Sequence, residues 1–250
     1  MSTSVAGTGT RAGTGTRTSI SILMPIYNGV EFFNESLQSV LDQTVEEWEL
    51  LIAINGHPPN SEVYQKVLKQ VNSITVNGVT EDKRVRLLDY HDCKGKAETL
   101  NKMITECKYN YVALLDVDDI WHPEKLAAQI PFLMLNYDVV GTRCVYFGEV
   151  NNVVPKIPTG DISQFDFLSV NPVINSSSVI KKKFAQWDTT LFGVEDYDLW
   201  LSLRVQGRRF YNCEEVLVKH RIHQTSAFNA QGNNNHVEAL RQTYARRFTS

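Results

Sequence analysis

The chain has 250 residues, 42% of them hydrophobic and 21% charged, a balance that supplies a sizeable core and excludes a disordered or fibrous chain. Its formal net charge of -3 offers no general attraction for polyanions, so nucleic acid is not expected as the main partner. No apolar run approaches the roughly 20 residues that cross a bilayer, so no transmembrane segment is expected.

The first 18 residues carry GTGTR twice, as Gly7–Arg11 and Gly13–Arg17. Glycine and threonine at this density bury too little to offset ordering entropy, so residues 1–18 read as a flexible low-complexity tail. Its glycines imitate a dinucleotide-binding fingerprint, but no strand precedes them. Arginine, threonine and serine without acids also suit a transit peptide, though no amphipathic face accompanies them. The four cysteines, Cys93, Cys107, Cys144 and Cys213, form no CxxC pair. Without a signal peptide they read as free thiols in a reducing, cytoplasmic setting.

From Ser19 the pattern changes. SISILMPI is a nearly continuous apolar run closed by Asn28-Gly29, which suits a strand buried on both faces. EFFNESLQSVLDQ places Phe33, Leu37, Val40, Leu41 and Thr44 at helical spacing, with Glu31 and Glu35 near its start. WELLIAI is a second strand, ended by Asn55-Gly56, and SEVYQKVLKQV a second helix with Val63, Val67, Leu68 and Val71 on one side. Arg84–Tyr90 gives a third strand, Ala97–Cys107 a helix, and Tyr111–Leu115 a fourth strand, before a helix with Pro123 in its first turn.

Four alternations of strand and helix predict an α/β fold with a Rossmann-like, mostly parallel central sheet flanked by helices. Beyond Val139 the pattern is weaker: VVGTRCVYFGEV and VINSSSVIKK read as strands, YDLWLSLRVQG as a helix, and RRFYNCEEVLVKH as one or two further strands. This half adds mixed strands to the first. The tail helix HVEALRQTYARRF puts Leu240, Tyr244 and Phe248 on one face, to pack on the domain or to rest on a membrane surface.

In open α/β sheets ligands sit beyond the carboxyl ends of the strands. The segments there are Tyr27–Gly29, Asn55–His57, His91–Gly95 and Asp116–Asp119. The last of these, in LLDVDD, sets three carboxylates within four residues of an apolar strand. Asp116 and Asp118, at i and i+2, point to one side and can share a hard cation, Mg²⁺ or Mn²⁺, with positions left for phosphate oxygens. A solvated acidic loop reads equally from spacing alone. Asp119 points elsewhere, to hold the loop or cap the next helix.

MPIYNG, a strand ending in NG, GKAETLN, LLDVDDIWHPEKL, GVEDYDLWLSL and HRIHQTS follow one another in order from about Ser19 to about Ser226. This series resembles the family-2 glycosyltransferases of GT-A fold. The resemblance implies one domain over residues 19–250, with a nucleotide-sugar-binding half (19–120) and an acceptor half (121–250). It makes Asp116 and Asp118 the DxD motif that holds a divalent cation and the nucleotide-sugar. Pro25 and Tyr27 of PIYN fall beside the nucleobase, and Lys96 of GKAETLN near the diphosphate. Asn55 stands where the family usually has the second aspartate of DD; as an amide it both donates and accepts, whereas an ionised aspartate only accepts. Asp196 of Glu195-Asp196 matches the general base for the acceptor hydroxyl, and His223 of HRIHQTS a third ligand or phosphate contact. Read as bare residues, Glu195 and Asp196 also suit the first turn of a helix, and His223 a solvated loop. Asp198 reads as structural.

The implied activity is inverting, metal-dependent transfer from a nucleotide-diphospho-sugar, a UDP-sugar before a GDP- or dTDP-sugar, to a glycan or other hydroxyl acceptor, with peripheral membrane association left open. A nucleotidyltransferase would also use strand-end aspartates, but MPIYNG lacks the arginine of a phosphate loop. A non-catalytic nucleotide-sugar-binding relative would explain the missing DD but not the retained DVDD and ED. Trp121, Trp187 and Trp200 read as core or pocket wall. Asn171, Asn175 and Ser176–Ser178 of NPVINSSS read as acceptor lining or as a turn and strand, and Lys181–Lys183 as a solvated edge.

Overall fold

The computed structural model describes residues 18–76, 79–80, 82–223 and 233–248; the low-complexity tail, Thr18 apart, lies outside them. Strand β1 (Ile20–Ile26) is buried at every position except Pro25, and β2 (Trp48–Asn55) at every position. Alternate residues serve opposite faces. Leu23, Leu51 and Ala53 enter one apolar cluster, while Ile22, Met24, Leu50, Ile52 and Ile54 enter the other. Two buried faces explain why these runs read as continuously apolar instead of alternating. Glu49 inside β2 is tolerated because its carboxylate accepts from Ser21 Oγ (2.7 Å) and the Lys108 backbone N–H (2.6 Å).

The remaining elements follow in chain order. Helix α1 spans Phe33–Leu41, α2 Glu62–Val71, β3 Val85–Tyr90, α3 Lys96–Glu106, β4 Tyr111–Leu114, β5 Ile120–Trp121 and α4 Lys125–Met134. Then come β6 (Val139–Gly148), β7 (Gly160–Asp161), β8 (Val179–Lys181), α5 (Glu195–Val205), β9 (Phe210–Ile222) and α6 (Asn233–Phe248). The sheet order is β3-β2-β1-β4-β8-β6-β9-β5, with β7 against β9. Pairings β3–β2, β2–β1, β1–β4 and β6–β9 are parallel, while β8 runs antiparallel to both β4 and β6. The second half thus continues the first sheet with mixed strands, as the sequence pattern implies. Helices α1, α2 and α4 cover one face and α3, α5 and α6 the other.

Several expectations shift on inspection. Pro123 stands before the helix, in the turn ahead of the Glu124 N-cap, so α4 starts at Lys125. VINSSS is not extended: Asn175–Ser177 form a 3₁₀ turn before β8. RRFYNCEEVLVKH folds as one strand whose register slips between Cys213 and Val218. Of Lys181–Lys183, at the end of β8 and just beyond it, Lys183 is exposed but the other two are not a free edge. Lys181 Nζ donates to Asp138 Oδ1 (2.7 Å) and Lys182 Nζ to the Cys107 carbonyl (2.6 Å). Helix α6 packs on the domain, with Leu240 and Tyr244 buried and the Tyr244 hydroxyl donating to Asp198 Oδ1 (2.7 Å).

Candidate active site

The parallel strands β1, β2, β3 and β4 end on one edge, and the polar segments after them meet there. In the loop after β4, Val117 is buried in the core, so Asp116 and Asp118 project to the polar side. Asp116 is held from three directions. Its backbone N–H donates to Ser176 Oγ (3.1 Å), its Oδ2 accepts from Asn175 Nδ2 (3.0 Å), and its Oδ1 is ion-paired with Lys96. Burial works to raise the Asp116 pKa, but the adjacent Lys96 ammonium outweighs it and holds the carboxyl below the usual range.

The end of β9 closes on the other acids. His223 Nε2 lies 2.9 Å from Asp118 Oδ2, and Arg221 Nε donates to the Asp118 carbonyl (2.9 Å). Burial, then the carboxylates of Asp119 and Asp116, push Asp118 up to about 6. Asp119 is fully buried: its Oδ1 accepts from the Arg221 N–H (2.9 Å), and its Oδ2 lies 3.0 Å from His220 Nδ1. The expected loop-holding role of Asp119 is therefore played against β9, not against α4. Burial opposes a charge on His220, but Asp119 overrides it and lifts the imidazole to about 9.

Asp196 comes to the same place from α5, whose first turn contains Glu195, Asp196 and Asp198. Its Oδ2 faces Asn171 Nδ2 at 3.4 Å. Burial raises its pKa to about 6; Lys96 pulls the other way, and Glu195 and Asp116 add to the rise. Lys96 in turn is held charged, well above the ordinary lysine value, as Asp116, Glu195 and Asp196 together overcome its burial. One ammonium therefore lies within electrostatic reach of both the strand-end acid and the helix-start acid.

Tyr27 is 57% exposed on the rim, its ring 5.2 Å from that of His57, whose Nε2 lies 2.6 Å from the Tyr27 carbonyl. Gly56 has φ +71, and a Cβ there would meet the Tyr27 ring at 3.0 Å, so the NG ending of β2 admits the tyrosine only as glycine. Asn55 is buried at the end of β2, in register with Tyr90. Pro25 lies past the last β1–β4 pair, Leu23 with Leu114, where the ladder has ended.

All the sequence-derived site residues thus fall on the carboxyl edge of the sheet. Among the described residues, however, no group of three or more His, Cys, Asp and Glu side chains converges as a ready metal cage. Asp116 is turned to Lys96 and Asn175, and Asp118 to His223. Three contributors carry little signal in the sequence. Asn175 and Ser176, read as lining or turn, grip Asp116 directly. Arg221 went unremarked, although its place between the two histidines of HRIH was the available signal.

The profile of the family described as Glycosyl transferase family 2 matches residues 21–189, more than half of the chain. This chain belongs to glycosyl transferase family 2. Among relatives of that family, a UDP-Glc:alpha-D-GlcNAc-diphosphoundecaprenol beta-1,3-glucosyltransferase of Escherichia coli is 29% identical over 218 residues, covering 83% of this chain and 78% of its own. Among solved structures, residues 1–349 of TarS from S. aureus in complex with UDP-GlcNAc superpose with TM-score 0.70 at 14% identity, over 91% of this chain and 66% of that one. The mannosyltransferase PcManGT from Pyrobaculum calidifontis, in complex with GDP-Man and Mn²⁺, gives TM-score 0.68 at 14% identity, over 93% and 65%. The chain therefore spans just under two thirds of the length of those two structures. The likeness confirms the α/β sheet that the strand–helix alternation implies and the GT-A architecture that the family resemblance implies. No helix among the described residues is long and apolar enough to cross a membrane.

Proposed function

We propose that this family-2 member is an inverting, metal-dependent glycosyltransferase that moves a sugar from a nucleotide-diphospho-sugar to an acceptor hydroxyl. The observation that carries the reading is the sharing of Lys96 between Asp116 and Asp196, which brings a leaving-group site and a base within one electrostatic neighbourhood. The residues suit a divalent cation. Asp116 and Asp118 offer hard oxygens, His223 a nitrogen, and Asn175 Oδ1 is buried beside them without a hydrogen-bond partner. Asp118, pushed up to about 6 by burial and its acidic neighbours, is short of positive charge. When bound, such a cation supplies charge to the diphosphate of the departing nucleotide.

The chain's own groups do the rest. Lys96 stands ready to meet the growing negative charge of the diphosphate. Asn171 steadies the Asp196 carboxylate, which takes the proton of the acceptor hydroxyl as its oxygen attacks the anomeric carbon. The bond from that carbon to the diphosphate oxygen breaks, and attack from the opposite face inverts the centre. Tyr27 and Asn55 face the nucleobase in this reading. The named donors of the E. coli relative and of TarS support a UDP-sugar, and the Mn²⁺ of PcManGT supports the metal. A glycan or similar hydroxyl compound is the acceptor, and residues 19–250 act as one domain in a cytoplasmic setting that keeps the four buried cysteines reduced.

The test is a transfer and donor-hydrolysis screen across UDP-, GDP- and dTDP-sugars with Mn²⁺, on wild type, Asp118→Ala and Asp196→Asn. The reading expects metal-dependent turnover in wild type, no metal-dependent donor binding in Asp118→Ala, and donor binding without turnover in Asp196→Asn. Donor binding with no turnover by wild type would make the chain a binding relative instead.

A further inference from the structure

The segment WHPEKLAAQ follows the acidic loop directly and has no part in the chemistry above, yet it hides an unusual residue. Lys125, in the first turn of α4, is fully buried. Its Nζ donates to Gln129 Oε1 (2.8 Å) and sits 3.9 Å over the Trp121 ring. Burial pulls its pKa down to about 7, with Cys213 working the other way. A buried amine with an amide and a ring for company is costly compared with an apolar side chain of like volume. Core packing alone gives no reason for it.

Both of its partners lead to the turn that grips Asp116. Trp121 Nε1 donates to the Ser176 carbonyl (2.7 Å). Gln129 Nε2 donates to the Ser177 carbonyl (2.8 Å) and to the Val140 carbonyl (2.7 Å). The same turn presents Ser176 Oγ to the Asp116 N–H and Asn175 Nδ2 to Asp116 Oδ2. With its amide nitrogen fully spent on two carbonyls, Gln129 needs a donor for Oε1, and Lys125 is that donor. The amine orients Gln129 and, from above, the indole.

We propose that Lys125 is a positioning residue that fixes, through Trp121 and Gln129, the Asn175–Ser177 turn and with it the placement of Asp116. The inference deepens the proposed transfer reaction and rests on it for its functional meaning. A shift of the turn displaces the carboxylate aimed at the leaving group, and sub-ångström to 1 Å errors of that kind cost about ten- to a hundredfold in rate.

The experiment compares wild type, Lys125→Met and Trp121→Phe, the second removing the indole N–H and part of the buried ring while keeping an aromatic face. Thermal melts establish folding, ¹⁵N-resolved hydrogen exchange follows the Asp116 amide, and kinetics with the donor found in the screen separate kcat from KM. The expectation is faster exchange at the Asp116 amide in both variants, and kcat down about tenfold or more with donor KM within about twofold. Folded variants with wild-type protection at Asp116 and wild-type kcat would overturn the proposal. If Lys125→Met does not fold, Trp121→Phe decides by the same two readouts. If wild type shows no transfer, the proposed function falls, while the exchange measurement, which needs no donor, still judges the role of Lys125.

Discussion

Lys96 and Asp116, 20 residues apart in sequence, are ion-paired between the first turn of α3 and the end of β4. The pair neutralises one of the acids a cation would use, so a divalent ion must displace Lys96 from Asp116 or share the carboxylate with it. Lys96→Met removes that competitor. The expectation is that Mn²⁺ alone binds about tenfold more tightly to the variant, while turnover falls because the diphosphate loses its lysine. Calorimetry with Mn²⁺ in the absence of donor reads the first effect. Weaker Mn²⁺ binding in Lys96→Met would show that the lysine does not guard the acid.

Asp196 must be ionised to accept a proton, and its pKa stands at about 6, chiefly through burial. The rate at saturating donor should therefore rise with pH and level off above about 6, each unit below costing close to tenfold. Asp196→Asn should remove this limb together with the turnover, while UDP-sugar affinity stays within about twofold. An unchanged acid limb in a residually active Asp196→Asn would assign the titration to another group, Asp118 being the alternative at the same value.

The parallel half of the fold was legible because burial on both faces leaves a strong trace: SISILMPI and WELLIAI carry apolar residues for two cores at once. The edge that carries the candidate site followed from topology alone, and Asp116, Asp118, Asp196 and His223 all fall on it. What the sequence hid were long-range contacts. That Ser176 accepts from the Asp116 N–H, 60 residues away, depends on β8 entering the sheet antiparallel to β4. Nothing local in NSSS encodes such a neighbour. Likewise nothing local in PEKL marks its lysine as buried, because only tertiary packing puts Lys125 over the indole of Trp121.

Tyr244 anchors α6, together with Leu240 and Arg241. Tyr244 is 4% exposed, and its hydroxyl donates to Asp198 on α5. Truncation to alanine removes buried ring and hydrogen bond together and should cost about 3–5 kcal/mol if the protein unfolds as one unit. Tyr244→Phe keeps the ring but strands a partly buried carboxylate, for about 1–3 kcal/mol. Urea melts of the two variants measure both. If α6 instead served chiefly to rest on a membrane, neither substitution would shift the midpoint, and Tyr244→Ala would act only on vesicle binding.

His220 gives the fold a stability gradient with a defined sign. Its pKa rises to about 9 because Asp119, fully buried, outweighs the burial that opposes the charge. A group raised in the folded state stabilises fully below its unfolded value of about 6.5, and that contribution disappears as pH climbs through the folded value. The His220 contribution to the unfolding free energy should thus fall between about pH 6.5 and 9, by an amount on the order of 1–3 kcal/mol, against an opposite gain from buried Lys125, whose amine is depressed to about 7. His220→Gln should remove this fall and lower stability at the acid end, since Asp119 would exchange a charged imidazole for at most a neutral amide donor beside the Arg221 N–H. Urea melts at pH 6 and pH 9 on wild type and variant suffice. The same change in stability from pH 6 to pH 9 in wild type and in His220→Gln would mean that the imidazole at the acidic loop is neutral, and that Asp119 is held by β9 through hydrogen bonds alone.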